Sequence, residues 1–475
     1  MTLPNPKRRA GAGSLYPFLL TALMLLMGLY VLLRYEGFWG EGDTTFFTRA
    51  IRIIQESGET LQPERAYSHG YGYQALVIWL SAFTHLPVGV LQIAAGMFLG
   101  GWVVLPAWLA YRELTRSELA ASLATLVLLV QPEFLFPLLR GTHEKFTRGL
   151  MFFCLYLLVR SLRTRSLRLT SMLIVCFYLC AYAMVSFNAF MASSFTLAIL
   201  LALGLVWLVG KWTAKSKPAA SPLVTRLFYV ITSLLVIAFI FIFYAYPPAQ
   251  TLLSTLLGVG DRVAMLALQV EDTASNPYEV VNTGWISLPL YFLVSLANWI
   301  LLAASFGLWL RQTYAWFVQR KAQPAQHEIV LWAFYAAFAF LGAVSVLVDI
   351  SGAIAANLQH RMFPSFVMLA SPLAGGWLAR QTLQRGVRSK MALLGVSLLI
   401  GILMVLSVFK ATSEPLLSNY WLFYTPAESQ SVRWAEQKLP ERSLWAGPAG
   451  RIADSILIRE NGRTLDLTSD SYAPE

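Results

Sequence analysis

Residues 160–168 read RSLRTRSLR, with one apolar run ending at 162 and the next beginning at 170. Four arginines between two apolar runs belong on the cytoplasmic side of a membrane, because Lys and Arg collect there. That placement decides the topology. Working toward the N-terminus from it, spanning runs fall at 149–162, 119–138, 88–111 and 15–33. Toward the C-terminus they fall at 170–187, 190–210, 227–246, 286–310, 328–349, 362–379 and 391–409. A further apolar stretch, 73–86, would put RSLRTRSLR outside if it crossed, so it is read as a helix lying in the interface. With eleven spans, the cytoplasmic segments hold 20 of the 36 Lys and Arg, against 9 in the outer loops and 7 in the C-terminal tail.

Composition agrees. The chain has 475 residues, 57% hydrophobic and 13% charged, with a mean hydropathy of +0.58. A soluble domain carries about 25% charged residues, so a cytosolic enzyme and a disordered chain are both excluded. The net charge of +11 is a matter of membrane sidedness, and no nucleic acid is expected as partner. Cys154, Cys176 and Cys180 all lie in apolar runs, which implies neither a disulfide framework nor a zinc site. Lys7, Arg8 and Arg9 precede a run too long for a signal core, so it is the first span. The expected architecture is an all-α polytopic membrane protein. Its membrane domain covers 1–409, with a first outer loop at 34–87, and a small extracytoplasmic segment follows at 410–475. No internal repeat is visible.

Polar groups are rare within the spans, so the chemistry belongs to the outer face of the cell membrane. There lie 22 of the 25 acids and four of the five histidines, His69, His85, His143 and His360. The stretch GFWGEGDTTFFTRAIRIIQESG (37–58) has Phe46, Phe47, Ala50, Ile51 and Ile54 at helical spacing, an amphipathic helix on the membrane. Asp43 stands at its start, with Glu41 two residues earlier. The spacing alone fits a helix cap as well as a catalytic carboxylate. YSHGYGYQALVIWLSAF (67–83) leads, through His69 and Tyr71, into a second interfacial helix. Tyrosines there serve as interfacial anchors or as substrate contacts. RGTHEKFTR (140–148) packs Arg140, His143, Glu144, Lys145 and Arg148 between two spans, either as a solvated loop or as acid–base groups beside phosphate-binding cations. HRMFPSFVMLASPLAGGWLA (360–379) brings His360 and Arg361 to the outer start of a span. Arg361 there either snorkels or binds a lipid phosphate.

Taken together, these stretches resemble the GT-C superfamily of polytopic glycosyltransferases, which includes protein mannosyltransferases, aminoarabinose transferases and oligosaccharyltransferases. The likeness lies in EGD (41–43) within a long first outer loop of two interfacial helices, in the 67–83 stretch, in RGTHEKF, and in the Arg-aromatic-Pro span ending in Ala-Gly. FYTPAESQSVRWAEQKLPERSLWAG (423–447) is similar to the start of an outer domain found in many members. The Trp-Trp-Asp sequon-recognition motif is absent from the sequence.

The resemblance implies transfer of a hexose or pentose from a polyprenyl-phosphate donor to a protein, lipid or polysaccharide. In that scheme Asp43 is the general base and Glu144 a second catalytic acid. Arg361, with Arg140, Lys145 and His360, holds the donor phosphate. Glu41, His143, His69 and Tyr71 contact acceptor or metal. A divalent ion, Mg²⁺ or Mn²⁺, is the one cofactor it leaves room for. A secondary transporter or a lipid-linked-sugar flippase is the alternative; Asp349, at the edge of an apolar run, is the acid that points that way.

Overall fold

The computed structural model describes residues 15–35, 42–58, 70–92, 96–164, 166–213, 288–319, 324–350, 358–383 and 387–412. It also describes Glu414, Ala427, Gln430, Trp434, Gln437 and Lys438. Every regular element among them is helical. After α1 (Leu15–Tyr35) come α2 (Gly42–Ser57) and α3 (Gly72–Thr84). Then follow α4 (Val104–Thr115), α5 (Glu118–Leu129), α6 (Pro132–Leu139), α7 (Glu144–Arg163), α8 (Leu167–Phe187) and α9 (Ala189–Thr213). The last described helices are α10 (Leu288–Val294), α11 (Leu296–Thr313), α12 (Gln326–Ile350), α13 (Leu358–Leu383) and α14 (Val387–Ala411).

Among the described residues, α1, α8, α9, α12, α13 and α14 are long and apolar enough to cross a membrane. The pair α5–α6 makes a seventh crossing if its two halves count as one span. The chain is a multi-pass membrane protein. The span expected at 227–246, the loop 247–285 and most of the 410–475 tail lie outside the described residues, as do Glu41 and His69.

Three expected spans are not straight. The run 119–138 bends by 76° between α5 and α6. Pro132 opens α6, and the residue before a proline is driven out of the helical region; Gln131 accordingly has φ −89°, ψ 117°. The run 88–111 is broken into short turns at 88–90 and 96–103 before α4 begins. Glycines at 96, 100 and 101 make a helix costly there. The run 286–310 is interrupted at Ser295, between α10 and α11. In contrast, the expected short span 149–162 belongs to a longer helix, α7, which starts at Glu144.

The two helices of the first loop follow from their patterns. In α2, Thr44, Phe47, Thr48 and Ile51 are buried, a stripe at i, i+3, i+4 and i+7. The 13 residues of α3 span about 20 Å, short of the ~30 Å hydrocarbon core, and its C-cap His85 turns the chain with φ 56°. Trp79 and Phe83 stack on its exposed side. In the bundle, α5 packs on α13, α7 lies between α4 and α8, and α12 lies between α9 and α13. The α5–α13 approach needs Gly375, where a Cβ would stand 2.6 Å from Ala124 Cα. Small residues at such crossings let helix backbones close up.

Candidate functional site

Four helices line one cavity of about 260 Å³, and three of them bring charged residues to it. From α6 come Glu133, Phe136, Pro137 and, at its C-cap, Arg140, spaced i, i+3, i+4 and i+7 along one face. The first turn of α7 adds Glu144 and Arg148, the start of α9 adds Phe190 and Met191, and α13 adds Arg361 and Pro364. Asn188, between α8 and α9, completes the lining. The structure thus brings together Arg140, Glu144 and Arg361 from the sequence expectations. Lys145 is buried and is not among the lining residues.

Glu144 and Arg148 are one helical turn apart, and Arg148 Nη2 donates to Glu144 Oε2 at 3.2 Å. Arg140 Nη2 lies 3.7 Å from the other carboxylate oxygen. Burial works to raise the pKa of Glu144, but the guanidiniums of Arg148 and Arg140 outweigh it and hold it at about 2. Glu144 is therefore ionised across the working range and serves as the counter-ion of two guanidiniums. Arg148 is only 2% exposed, and its Nε and Nη1 have no partner among the described residues. Buried donors left unpaired are costly, which makes them a standing attraction for an anion. Arg361 is exposed on the cavity side, 6.0 Å from the Phe190 ring. No described acid pairs with it.

Lys145 sits behind this wall. Burial first, and Arg140 second, bring its pKa down to about 7.

His143 is 2% exposed and its ring nitrogen assignment follows from its neighbour. Asn188 Oδ1 accepts the Met191 N–H at 2.9 Å, which fixes the amide, so its Nδ2 donates to His143 Nε2 at 2.6 Å. The imidazole is then the neutral tautomer protonated on Nδ1. Phe47 of α2 and Tyr73 of α3 pack edge-on against the ring at 5.1 and 6.4 Å. Gly141 N donates to Thr44 Oγ1 at 3.2 Å. The first turn of α2, which carries Asp43, is docked on the 139–148 loop through these contacts. The side chains of Asp43 and His360 lie outside the described residues. Tyr71 is half-buried at the N-cap of α3, and burial raises its hydroxyl pKa.

The described residues do not suit a divalent ion. No group of three His, Cys, Asp or Glu is gathered among them. His143 Nε2 is taken by Asn188, and Glu144 is taken by two arginines. Among the described residues, the cavity's two carboxylates, Glu133 and Glu144, are both already paired with cations.

A second cavity, of about 350 Å³, is mainly apolar, with Trp299, Leu302, Phe306, Phe363 and Phe366 in its walls. Glu133 lines both cavities. It is held by Lys410 of α14, whose Nζ lies 2.5 Å from Glu133 Oε1 and 2.7 Å from Ser295 Oγ, above the Tyr291 ring at 4.6 Å. Asp349 has a structural use: its two carboxylate oxygens accept the Leu358 and Gln359 N–H groups at 2.8 and 2.7 Å, capping α13.

Asn188, Glu133 and Lys410 were missed at the level of sequence, whereas Arg148 was read there among the cations beside His143 and Glu144. Its pairing with Glu144 had a signal, the i, i+4 spacing. The stripe 133, 136, 137, 140 had one too, but only once 132–139 is known to be a separate helix.

A helical bundle with broken spans and two helices in its first loop is similar in fold to solved structures of an archaeal oligosaccharyltransferase and of ArnT. Archaeal oligosaccharyltransferase AglB from Archaeoglobus fulgidus, solved with an inhibitory peptide and a dolichol-phosphate, has a TM-score of 0.55 at 12% identity. The alignment covers 94% of this chain and 60% of that one, so this chain spans well under two thirds of that protein. ArnT from Cupriavidus metallidurans, bound to undecaprenyl phosphate, has a TM-score of 0.51 at 12% identity, covering 97% and 87% of the two chains. No family model and no curated protein matches the chain.

Proposed function

We propose that this protein is a glycosyltransferase of the cell membrane that moves a hexose or pentose from a polyprenyl-phosphate donor to an acceptor on the extracytoplasmic face. The observation that carries the reading is the cationic cavity. Among the described residues, Arg148 brings buried donors without hydrogen-bond partners and Arg361 lines the cavity without a paired acid. Guanidiniums stay charged and bind two phosphate oxygens at once. The adjoining apolar cavity suits an isoprenoid chain, and Glu133 marks where the two meet. The shared fold with proteins solved with dolichol-phosphate and undecaprenyl phosphate supports a lipid-phosphate donor.

In the reaction, the acceptor attacks the anomeric carbon and the carbon–oxygen bond to phosphate breaks. Its electron pair stays on the phosphate oxygen, whose growing charge Arg140, Arg148 and Arg361 offset. The acceptor proton passes to Asp43, which α2 carries on the docked turn. Glu144 sets the two guanidiniums, Lys145 adds charge behind them, and His360 adjoins Arg361. Glu41, His69, Tyr71 and His143 belong to the acceptor side, with His143 acting through its packing on α2. The acceptor is a protein, a lipid or a polysaccharide.

Reconstituted protein given a polyprenyl-phosphate sugar and an acceptor should release polyprenyl phosphate. Asp43→Asn should lower turnover by about 10²–10⁴-fold. A donor that crosses the bilayer intact, with no lipid phosphate formed, would instead identify a flippase or transporter. Full turnover in Asp43→Asn would remove Asp43 from the role of base.

A further inference from the structure

Glu133 has no part in the chemistry above, yet it lines both cavities. If a lipid phosphate lies with its anion among the arginines and its chain in the apolar cavity, the carboxylate stands where the two parts join. A negative group is the wrong charge for that position if tight binding were the only requirement. It is also not a chance exposure of a surface acid. Lys410, Ser295 and Tyr291 form a dedicated mount for it, contributed by α14 and by the α10–α11 break. The lysine does not line either cavity, so the carboxylate is the member of the pair that a ligand meets.

We propose that Glu133 is a specificity-determining carboxylate that distinguishes the spent lipid phosphate from the donor and drives its release. This rests on the transferase reading above. A sugar donor of this class is a phosphodiester with one negative charge. Once the sugar leaves, the lipid carries a phosphomonoester of charge −1.5 to −2, by analogy with other monoesters, whose second pKa is about 6. The arginines that stabilise the departing phosphate would also hold this product tightly, and an enzyme that keeps its product turns over slowly. A fixed negative charge on the wall repels the product about twice as strongly as the donor, because the repulsion scales with ligand charge. Lys410, itself held by Ser295, keeps the carboxylate from turning away. Glu133 thus weakens binding, with its effect concentrated on the product.

The test is equilibrium binding of undecaprenyl phosphate to the full-length protein in nanodiscs, with undecaprenol as the phosphate-free control. Wild type should prefer the phosphate lipid. Glu133→Gln keeps size and hydrogen bonding, and should bind undecaprenyl phosphate about fivefold more tightly, the scale of one partly exposed charge interaction, with undecaprenol unchanged. Inhibition of turnover by added undecaprenyl phosphate should strengthen in parallel. Should Glu133→Gln fail to fold, Glu133→Met combined with Lys410→Met leaves no ion unpaired. It should also bind the phosphate lipid more tightly, by a smaller factor, since both charges of the pair are removed and the repelling one lay nearer the ligand. Equal or weaker binding of undecaprenyl phosphate in a folded variant overturns the proposal while leaving the transferase reading intact. A wild type that binds undecaprenol as well as its phosphate overturns both.

Discussion

Replacing Gly141 by alanine tests how α2 is held over the cavity. Gly141 stands where three segments meet. Its N–H is bonded to Thr44 Oγ1, and an added Cβ would lie 2.8 Å from the Gln92 carbonyl oxygen and 2.8 Å from Thr44 Cγ2. Its φ is not in the left-handed region, so alanine is penalised by contact alone. Ordinary contact begins at 3.4 Å, so each neighbour must retreat by about 0.6 Å, the kind of overpacking that costs about 1–3 kcal/mol. Thr44 cannot simply rotate, because turning its methyl away breaks the bond to Gly141, worth about 1 kcal/mol. The easier response is for the first turn of α2 to lift, and Asp43 lifts with it. Misplacement of a reacting group by ~1 Å costs about 10²-fold, so a shift of half that size should cost about tenfold in turnover. Turnover and thermal unfolding, measured on the same nanodisc preparation, should both fall. Adding Thr44→Ser removes the methyl in the way, keeps the hydroxyl, and should restore part of each. Wild-type turnover and stability in Gly141→Ala would refute the docking argument.

Arg148→Met leaves Glu144 with the longer Arg140 contact alone and should lower stability by about 3 kcal/mol, read by thermal unfolding, together with weaker lipid-phosphate binding. Arg361→Lys keeps the charge but not the planar fork, so donor KM should rise about tenfold with the unfolding temperature unchanged; an unaltered KM would mean that Arg361 only anchors the helix. Lys145 has a folded-state pKa near 7 against 10.5 ordinarily. Below pH 7 both states carry the proton, and the folded state bears the cost of a buried charge. Between about pH 7 and 10.5 the unfolded chain binds more protons, so stability rises with pH. Wild type should therefore gain unfolding temperature between pH 6.5 and pH 9 relative to Lys145→Met, and parallel profiles would refute the shift.

Much of the bundle was legible because hydropathy and the placement of Lys and Arg report on membrane crossing directly. α1, α8, α9, α12, α13 and α14 all fall where apolar runs were read. The bend at 130–131, the short turns at 96–103 and the interruption at 295 were not legible. A hydropathy run is blind to a residue such as Pro132 that leaves polarity unchanged while redirecting the chain. The site divides similarly. Charge density marked the 139–148 loop, and Arg361 stood out at the start of its span. Glu133, Asn188 and Lys410 come from three distant stretches, and only tertiary packing reveals them as neighbours. His143 looked like a ligand by residue type; its nitrogen is committed to Asn188, which no spacing rule could show.

The bend at Gln131 has a further consequence for α6. Ser407 of α14 donates to the Val130 carbonyl and the Gln131 side chain itself donates to that of Val127, so these two backbone groups at the break are satisfied by a neighbouring span and by the bend's own residue. From that fixed point, α6 runs eight residues and sets Glu133 and Arg140 on a single face. Each residue of an α-helix advances the azimuth by about 100° and the axis by about 1.5 Å. The number of residues between the bend and the loop is therefore an angular setting. One residue added or removed there would rotate Arg140 out of phase with Glu133 by more than a quarter turn, carrying one of the two charges into the packed bundle. Such a chain would keep its composition, its hydropathy profile and its topology, and would lose one wall of the cavity.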